Sequence, residues 1–179
     1  GQILSQDTGF SRSYGQNPYV GYDNVSAYPF LFTGEVDDQL RPMERVVGIW
    51  LESGEAVAYP YLRIREELVI NDKLGELPLV VFWKAGTASA LDTATIAEGN
   101  DIGSTGVFNA ELEGELLAFS ANADGTFTDG NTNSTWDIFG QAIDGPHSGK
   151  SLQAISHHDT FWFAWAAFVP GETLRSLEN

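Results

Sequence analysis

The sequence predicts a mainly β fold: a single-domain antiparallel sandwich or partly open barrel, with an irregular N-terminal arm and a short C-terminal aromatic helix. Three features indicate this class. From Met43 onward, short runs of β-branched and aromatic residues alternate with turn residues about every 8 to 12 positions. Hydrophobic residues make up 42% of the 179-residue chain, which provides enough apolar surface for a core. A cluster of aromatic residues near the C-terminus has helical spacing.

The first 34 residues are rich in Gly, Ser, Asn and aromatic side chains, and neither helical nor strand periodicity persists in them. We expect residues 1–34 to form an arm packed on a β-rich domain that spans residues 35–179. Two interpretations of the arm's tyrosines stay open: anchoring of the arm, which the sequence favours, and a platform on which carbohydrate stacks. These tyrosines are Tyr14, Tyr19, Tyr22 and Tyr28.

The first half of the domain contains a predicted hairpin and two further strands. Arg45–Trp50 and Glu55–Tyr59 flank a Gly-containing turn and predict the hairpin. Glu67–Ile70 predicts a strand that ends in a turn over Asn71–Gly75. Leu79–Trp83 is the most continuous β-branched and aromatic run. Because this run does not alternate with polar residues, it predicts a central strand covered on both faces.

The second half continues the same pattern of short strands. Val107–Leu112 and Glu115–Phe119 predict another hairpin, and Gly125–Thr128 and Ser134–Phe139 predict two more strands.

The segment from Asp159 to Phe168 differs, because aromatic rings at positions 161, 165 and 168 would share one helical face. Asp159 or Thr160 would cap this helix and Pro170-Gly171 would end it, although Phe161-Trp-Phe alone also fits a strand.

Charge and composition exclude several classes of protein. Nine Lys and Arg face 25 Asp and Glu, a net charge of −16, so no basic face is available to neutralise nucleic-acid phosphates. No apolar run approaches the roughly 20 residues that span a bilayer. The absence of Cys excludes disulfides, zinc–thiolate sites and cysteine nucleophiles. The acidity itself indicates either a salt-adapted surface, which the scarcity of Lys favours, or a cation-binding one.

Eight segments carry a resemblance to a known family: Ala58–Pro60, Glu66–Asp72, Leu79–Trp83, Gly86–Asp92, Thr132–Trp136, Gly140–Gly145, Gly149–Leu152 and the Trp-containing stretch ending at Pro170. In their order and spacing they resemble the bacterial and archaeal family called domain of unknown function 3179, from about Thr8 to Leu174. The resemblance implies an extracytoplasmic setting (periplasmic, cell-surface or secreted) and no established reaction; no signal peptide is visible. Family members often carry Cys near Trp83–Ser89, where this chain has none. The metal or redox roles proposed for those cysteines therefore do not carry over.

The three histidines are candidate ligands for Cu or Zn. His147 lies in a Gly-Pro-His-Ser-Gly turn, and His157-His158-Asp159 precedes the aromatic helix. If residues 150–155 return the chain to the same rim, His147, one of the adjacent pair and a carboxylate such as Asp159, Asp144 or Asp92 would meet. Neighbouring residues of a strand point to opposite sides, so one of the pair is expected to be structural. The alternative, which we favour, is a set of loop histidines beside a helix cap.

Side-chain oxygens crowd two turns in the second half of the chain, as they do in loops that bind Ca²⁺. The EF-hand register is not met, and Asp-Gly pairs are also typical of tight turns, which is the favoured interpretation. The residues concerned are Asp124, Asp129, Asn131 and Asn133.

The loop after the central strand is the second candidate site, because loops that follow a buried strand often carry function. Trp83, Lys84, Ser89 and Asp92 are its candidate ligand-binding residues. Ser89, His158 and Asp92 would also suit a hydrolase, but no Gly-x-Ser-x-Gly motif supports that.

The sequence therefore predicts a non-enzymatic extracytoplasmic binding or accessory module with a His-containing rim. The alternatives are a structural subunit that self-associates or binds a protein partner through its N-terminal arm, and a metal-dependent hydrolase. No cofactor is assigned beyond a divalent metal (Cu, Zn or Ca), and neither nucleic acid nor a lipid bilayer is an expected partner.

Overall fold

Twelve short strands, two short α-helices and one 3₁₀ helix at Ile96–Glu98 make up the computed structural model, which describes residues 5, 7–11, 17–169, 171 and 173–175. Strand accounts for 34% and helix for 10%, and the antiparallel sheets do not close into a barrel, so the predicted class is confirmed. The elements in order are β1 Arg45–Trp50, β2 Ala56–Pro60, α1 Tyr61–Glu67, β3 Val69–Leu74, β4 Leu77–Lys84, β5 Ser104–Asn109, β6 Glu111–Leu112, β7 Glu115–Leu116, β8 Phe119–Ala121, β9 Phe127–Asp129, β10 Thr135–Trp136, β11 Ala142–Asp144, β12 His158–Phe161 and α2 Trp162–Phe168.

The first sheet has the order β12-β1-β2, and all its pairs are antiparallel. The predicted first hairpin is confirmed, with Trp50 paired to Ala56 at the turn end. Arg45 pairs with Phe161 at the opposite end of β1. This register places the N-terminal end of β1 beside the start of α2.

The second sheet has the order β3-β4-β5, with β4 in the centre as predicted. Alternate residues of β4 enter two different cores. Leu79, Val81 and Trp83 face one cluster, which β1 and α1 help to form. Val80 and Phe82 face the other, where Phe82 stacks on Phe127 at 4.0 Å between ring centroids. The continuous apolar run therefore reflects burial of both faces of the strand.

The third sheet has the order β11-β10-β9-β8, and β6 and β7 form a separate hairpin. A third cluster joins α2 to the first sheet through Val46, Ala58, Trp162 and Trp165. Among the described residues, no helix has the length and apolarity needed to cross a bilayer.

Three details differ from the sequence prediction. Helix α1 was not predicted; it follows β2 directly and buries Ile64. The turn expected over Asn71–Gly75 is mostly strand, because β3 pairs with β4 as far as Leu74. The aromatic helix begins only at Trp162. Residues 158–161 form β12 and pair with β1, so their backbone groups are not available to start a helix earlier.

The buried face of α2 also differs from the expected one. Trp162 and Trp165 are buried, whereas Phe168 is 79% exposed. No side chain caps the helix, so neither Asp159 nor Thr160 has the expected capping role. Of the predicted stop, Pro170 lies outside the described residues, and α2 ends before it, at Phe168.

Candidate functional site

A cleft of about 1030 Å³ lies between four segments: the arm, the loop leading into β1, helix α1 and the loop that joins β4 to β5. Three arginines contribute to its walls, and the remaining lining mixes carboxylates, amides and apolar groups. The lining residues are Gly21, Asp23, Asn24, Val25, Arg41, Met43, Glu44, Arg45, Tyr61, Leu62, Arg65, Asp92, Asn100, Asp101 and Ile102.

The arm forms one wall of the cleft by pairing its backbone with the β4–β5 loop. The Gly21 N–H donates to the Asp92 carbonyl at 2.7 Å, and the Tyr22 N–H donates to the Leu91 carbonyl at 2.9 Å. The Tyr22 ring meets Phe161 edge to face at 5.8 Å between centroids. These contacts fix the position of the arm's backbone beside the end of β1.

A polar cluster lies at the junction of the arm and the domain. Ser89, which is fully buried, donates its hydroxyl to Asp23 Oδ2. Arg45 Nη2 lies 3.4 Å from the same oxygen and 3.4 Å from Ser89 Oγ. The Arg45 guanidinium also lies over the Phe161 ring, 4.9 Å from its centroid, in a cation–π contact. The domain thus positions the Arg45 side chain, and Asp23 of the arm neutralises its charge.

The β4–β5 loop is ordered by carboxylates that accept backbone hydrogen bonds. Asp101 accepts from the N–H groups of Gly103, Gly86 and Thr87, and these bonds hold its pKa below the usual range. Asp92 accepts from the Asn100 N–H at 2.7 Å. These hydrogen bonds hold the loop in place, and they occupy part of the acceptor capacity of both carboxylates.

Arg41 and Arg65 differ from Arg45, because neither has a close carboxylate among the described residues. Among the described residues, no carboxylate lies within 4.0 Å of the side-chain nitrogens of Arg41 or Arg65, both of which are exposed. Glu44 lies nearby, and burial raises its pKa although Arg41 partly opposes the shift. The cleft therefore presents two guanidinium groups without a close ion pair among the described residues, beside a carboxyl whose pKa burial raises.

Tyr61 closes the α1 side of the cleft. Burial raises the pKa of its hydroxyl, and the nearby Asp159 carboxylate raises it further. Asp159 in turn accepts a hydrogen bond from Thr105 Oγ1 at 2.8 Å. Tyr61 therefore stays a neutral hydroxyl at physiological pH.

Two of the four candidate ligand-binding residues lie at this cleft. Asp92 lines it, and Ser89 lies beneath its arm wall. Trp83 instead packs in the core and donates its indole N–H to the Ile102 carbonyl at 3.1 Å. Lys84, at the end of β4, is not among the lining residues.

The histidines do not meet. His147 is 8% exposed and packs against Trp136 in the third sheet, whereas His158 is exposed on β12 in the first sheet. The ring Nδ1 of His157 is 3.0 Å from the Ile155 carbonyl. Among the described residues, no three His, Cys, Asp or Glu side chains are grouped to hold a metal ion. His147 lies in the turn that follows β11 and His158 lies on β12, so the convergence that the metal hypothesis required is not found.

With this geometry established, comparison with known proteins identifies a family. The profile of a family described as "Protein of unknown function (DUF3179)" matches residues 1–172. The chain belongs to the DUF3179 family. No curated protein and no solved structure matches it.

In this DUF3179 chain, the oxygen-rich turns are occupied by their own hydrogen bonds. Asp124 accepts from the N–H and hydroxyl of Thr126, which lowers its pKa. Asn131 donates to Glu115 Oε1 at 2.9 Å, and Asn133 has a left-handed φ of 57°. Asp129 is fully buried and accepts from the Trp136 indole N–H at 2.9 Å. These contacts are those of tight turns and of a buried anchor.

Sequence reasoning missed the arginines of this DUF3179 cleft. Arg41, Arg45 and Arg65 come from separate segments and form no motif, and Asp23 lies in a region of no periodicity. One available sign was the scarcity of cations: the chain has only six Arg and three Lys, so each cation is a candidate for a specific role.

Proposed function

We propose that this chain is an extracytoplasmic binding module for small organic anions, held in the arginine-lined cleft. The observation that carries the proposal is the concentration of cations: three of the six arginines line one cleft of a chain with net charge −16. Arginine presents a planar, permanently charged fork that matches carboxylate and phosphate groups. The extracytoplasmic setting rests on the family resemblance.

The charge balance of the cleft differs from that of the chain. Its lining has three arginines and four carboxylates, compared with nine cations and 25 acids overall. Asp23 is neutralised by Arg45, and Asp101 is saturated by backbone N–H groups. The lining therefore has a net charge of only −1, and Arg41 and Arg65 are its cations without a carboxylate within 4.0 Å among the described residues.

Binding fits this site better than nucleophilic catalysis. Ser89 is fully buried and donates to Asp23, so its oxygen is not presented to a substrate. His158, the base in the alternative hydrolase hypothesis, is exposed on β12, and Asp92 accepts a backbone N–H from Asn100. A hydrolase would need these three groups in mutual hydrogen-bond contact.

The test is calorimetric titration with citrate, phosphate and acetate at low ionic strength. We expect the wild type to bind citrate and the double variant Arg41→Gln, Arg65→Gln to bind it at least about ten-fold more weakly. Each charge-assisted hydrogen bond contributes about 1.5–3 kcal/mol, and about 1.4 kcal/mol corresponds to a factor of ten.

The matched control is Lys73→Gln with Lys150→Gln, which removes the same charge from lysines outside the cleft. It should bind citrate like the wild type. Absence of binding of all three anions to the wild type, or equal loss in both double variants, would show that the cleft is not an anion site.

A further inference from the structure

We propose that Asp23 acts as an internal competitor at Arg45, so that the cleft contains a second anion subsite filled by the protein's own carboxylate. A ligand with two separated anionic groups would place one at Arg41 and Arg65 and use the other to displace Asp23. This inference rests on the proposed function and specifies its ligand class, small dicarboxylates and related polyanions.

The subsite is built entirely on the domain. Arg45 is the first residue of β1, where it pairs with Phe161 and lies over that residue's ring. Ser89 is fixed by its backbone, whose N–H donates to the Asn100 carbonyl at 2.9 Å. Its hydroxyl oxygen also accepts from the Leu91 N–H at 3.2 Å. Arg45 and Ser89 therefore keep their positions when the carboxylate leaves.

The occupying carboxylate comes from the irregular arm. Asp23 and Arg45 both line the cleft, with side-chain exposures of 12% and 19%, so a solute can reach the pair. Their 3.4 Å N···O separation is longer than the roughly 2.7–2.9 Å of a strong charge-assisted hydrogen bond. Arg45 thus has unused capacity for a better-placed anion.

Displacement does not require the arm to detach. The backbone bonds of Gly21 to Asp92 and of Tyr22 to Leu91 are independent of the Asp23 side chain. The Tyr22 ring is held by Phe30 and Phe161. Rotation of the Asp23 side chain is therefore sufficient to open the subsite, with the ligand's carboxylate replacing Asp23 as the acceptor for the Ser89 hydroxyl.

The experiment compares citrate, which carries several carboxylates, with acetate, which carries one. Asp23→Asn keeps the shape of the side chain and removes its charge. Citrate can use Arg45 only in the fraction of molecules in which Asp23 has moved away, and the apparent Kd rises as that fraction falls. Removing the competing carboxylate should therefore lower the citrate Kd by roughly three- to ten-fold. The acetate Kd should change less than about two-fold, because acetate uses the free arginines.

Glu52→Gln is the matched control, because it removes one negative charge from an exposed turn outside the cleft. Asp23→Ala tests whether the amide introduced by Asp23→Asn still occupies Arg45, and it should bind citrate at least as tightly as Asp23→Asn. Unchanged or weaker citrate binding in both Asp23 variants would overturn the inference.

A measurement on the wild type removes any dependence on variant folding. Saturation with citrate should shift the ¹³C carboxyl resonance of Asp23, whereas acetate should not. If citrate binds and Arg41→Gln with Arg65→Gln abolishes binding, but the Asp23 resonance stays fixed, the subsite inference fails and the proposed function stands. If the wild type binds phosphate or acetate but not citrate, the subsite inference fails, and if it binds none of the three anions, the proposed function itself fails.

Discussion

Asp129 shows how one buried carboxylate organises the third sheet. Burial alone would raise its pKa, but hydrogen bonds from the Trp136 indole and from the backbone and hydroxyl of Thr132 outweigh burial, and its pKa lies below the ordinary value. The Ser134 N–H also donates to it at 3.2 Å. The ionised form is therefore the one that stabilises the fold.

We expect Asp129→Asn to lower the free energy of unfolding at pH 7 by about 1–3 kcal/mol, since an amide cannot accept all of these bonds. A depressed folded-state pKa contributes stability above the unfolded value of about 3.9, and this is lost as pH falls through the folded-state pKa. The difference between variant and wild type should therefore shrink below about pH 4. Urea titrations across pH measure it.

Asp144→Asn on the neighbouring strand is the control, because Asp144 is exposed and should change stability by less than about 0.5 kcal/mol. A difference between Asp129→Asn and the wild type that stays constant as the pH falls well below 4 would contradict the assigned ionisation.

At the residue scale, sequence reasoning located part of the candidate site. Asp92 and Ser89 were predicted because they follow the central strand, and both lie at the cleft or beneath its wall. Arg45 and Asp23 are 22 residues apart and meet only through tertiary packing. No local pattern encodes such a contact, so it was not predictable from one sequence.

Among the structural elements, the contact of α2 with β1 depends on the absence of a side chain. Gly48 lies in the centre of β1, and a Cβ at this position would overlap the ring of Trp165. The helix lies against the strand because no side chain separates them. Trp165 is itself 4% exposed and donates its indole N–H to Thr173 Oγ1 at 3.1 Å, so the ring has little freedom to move.

Gly48→Ala should therefore destabilise the protein by about 1–3 kcal/mol through overpacking and should change the near-ultraviolet circular dichroism of the tryptophans. Gly130→Ala is the matched control, because its Cβ would lie 3.6 Å from the Ala118 carbonyl oxygen, an ordinary contact. Chemical denaturation compares the two. Equal denaturation midpoints for both variants would show that the Trp165 ring can move to make room for the added methyl group, which would contradict the prediction.

The strands that the sequence predicted best are those with the strongest apolar patterns. β4 was identified as central because both its faces are buried, and the first hairpin because a turn separates two apolar runs. The start of α2 and the extent of β3 were wrong. The start of α2 depends on pairing with β1, which is distant in sequence, and the extent of β3 depends on its hairpin pairing with β4; both override local propensity.

Across the whole molecule, opposite charges are too few to balance the acids. The described residues form five ion pairs, compared with 25 Asp and Glu in the chain. Four of these pairs involve a carboxylate or cation on the outer surface, where such pairs contribute little. The native state therefore carries substantial self-repulsion. In the cleft, where three arginines face four carboxylates, the acids are nearly balanced.

Salt should consequently stabilise the protein at neutral pH. The Debye length falls from about 30 Å at 0.01 M to about 10 Å at 0.1 M ionic strength, which screens repulsion across the molecular surface. If screening recovers about 1–2 kcal/mol of unfolding free energy, Tm should rise by about 2 to 8 °C between about 0.01 and 0.5 M NaCl at pH 7. Near the isoelectric point of about 4.2 there is little net charge to screen, so the same addition should leave Tm almost unchanged. Calorimetric scans at the two pH values separate screening from a general salt effect, because an equal rise at both would attribute the stabilisation to the salt's action on apolar hydration.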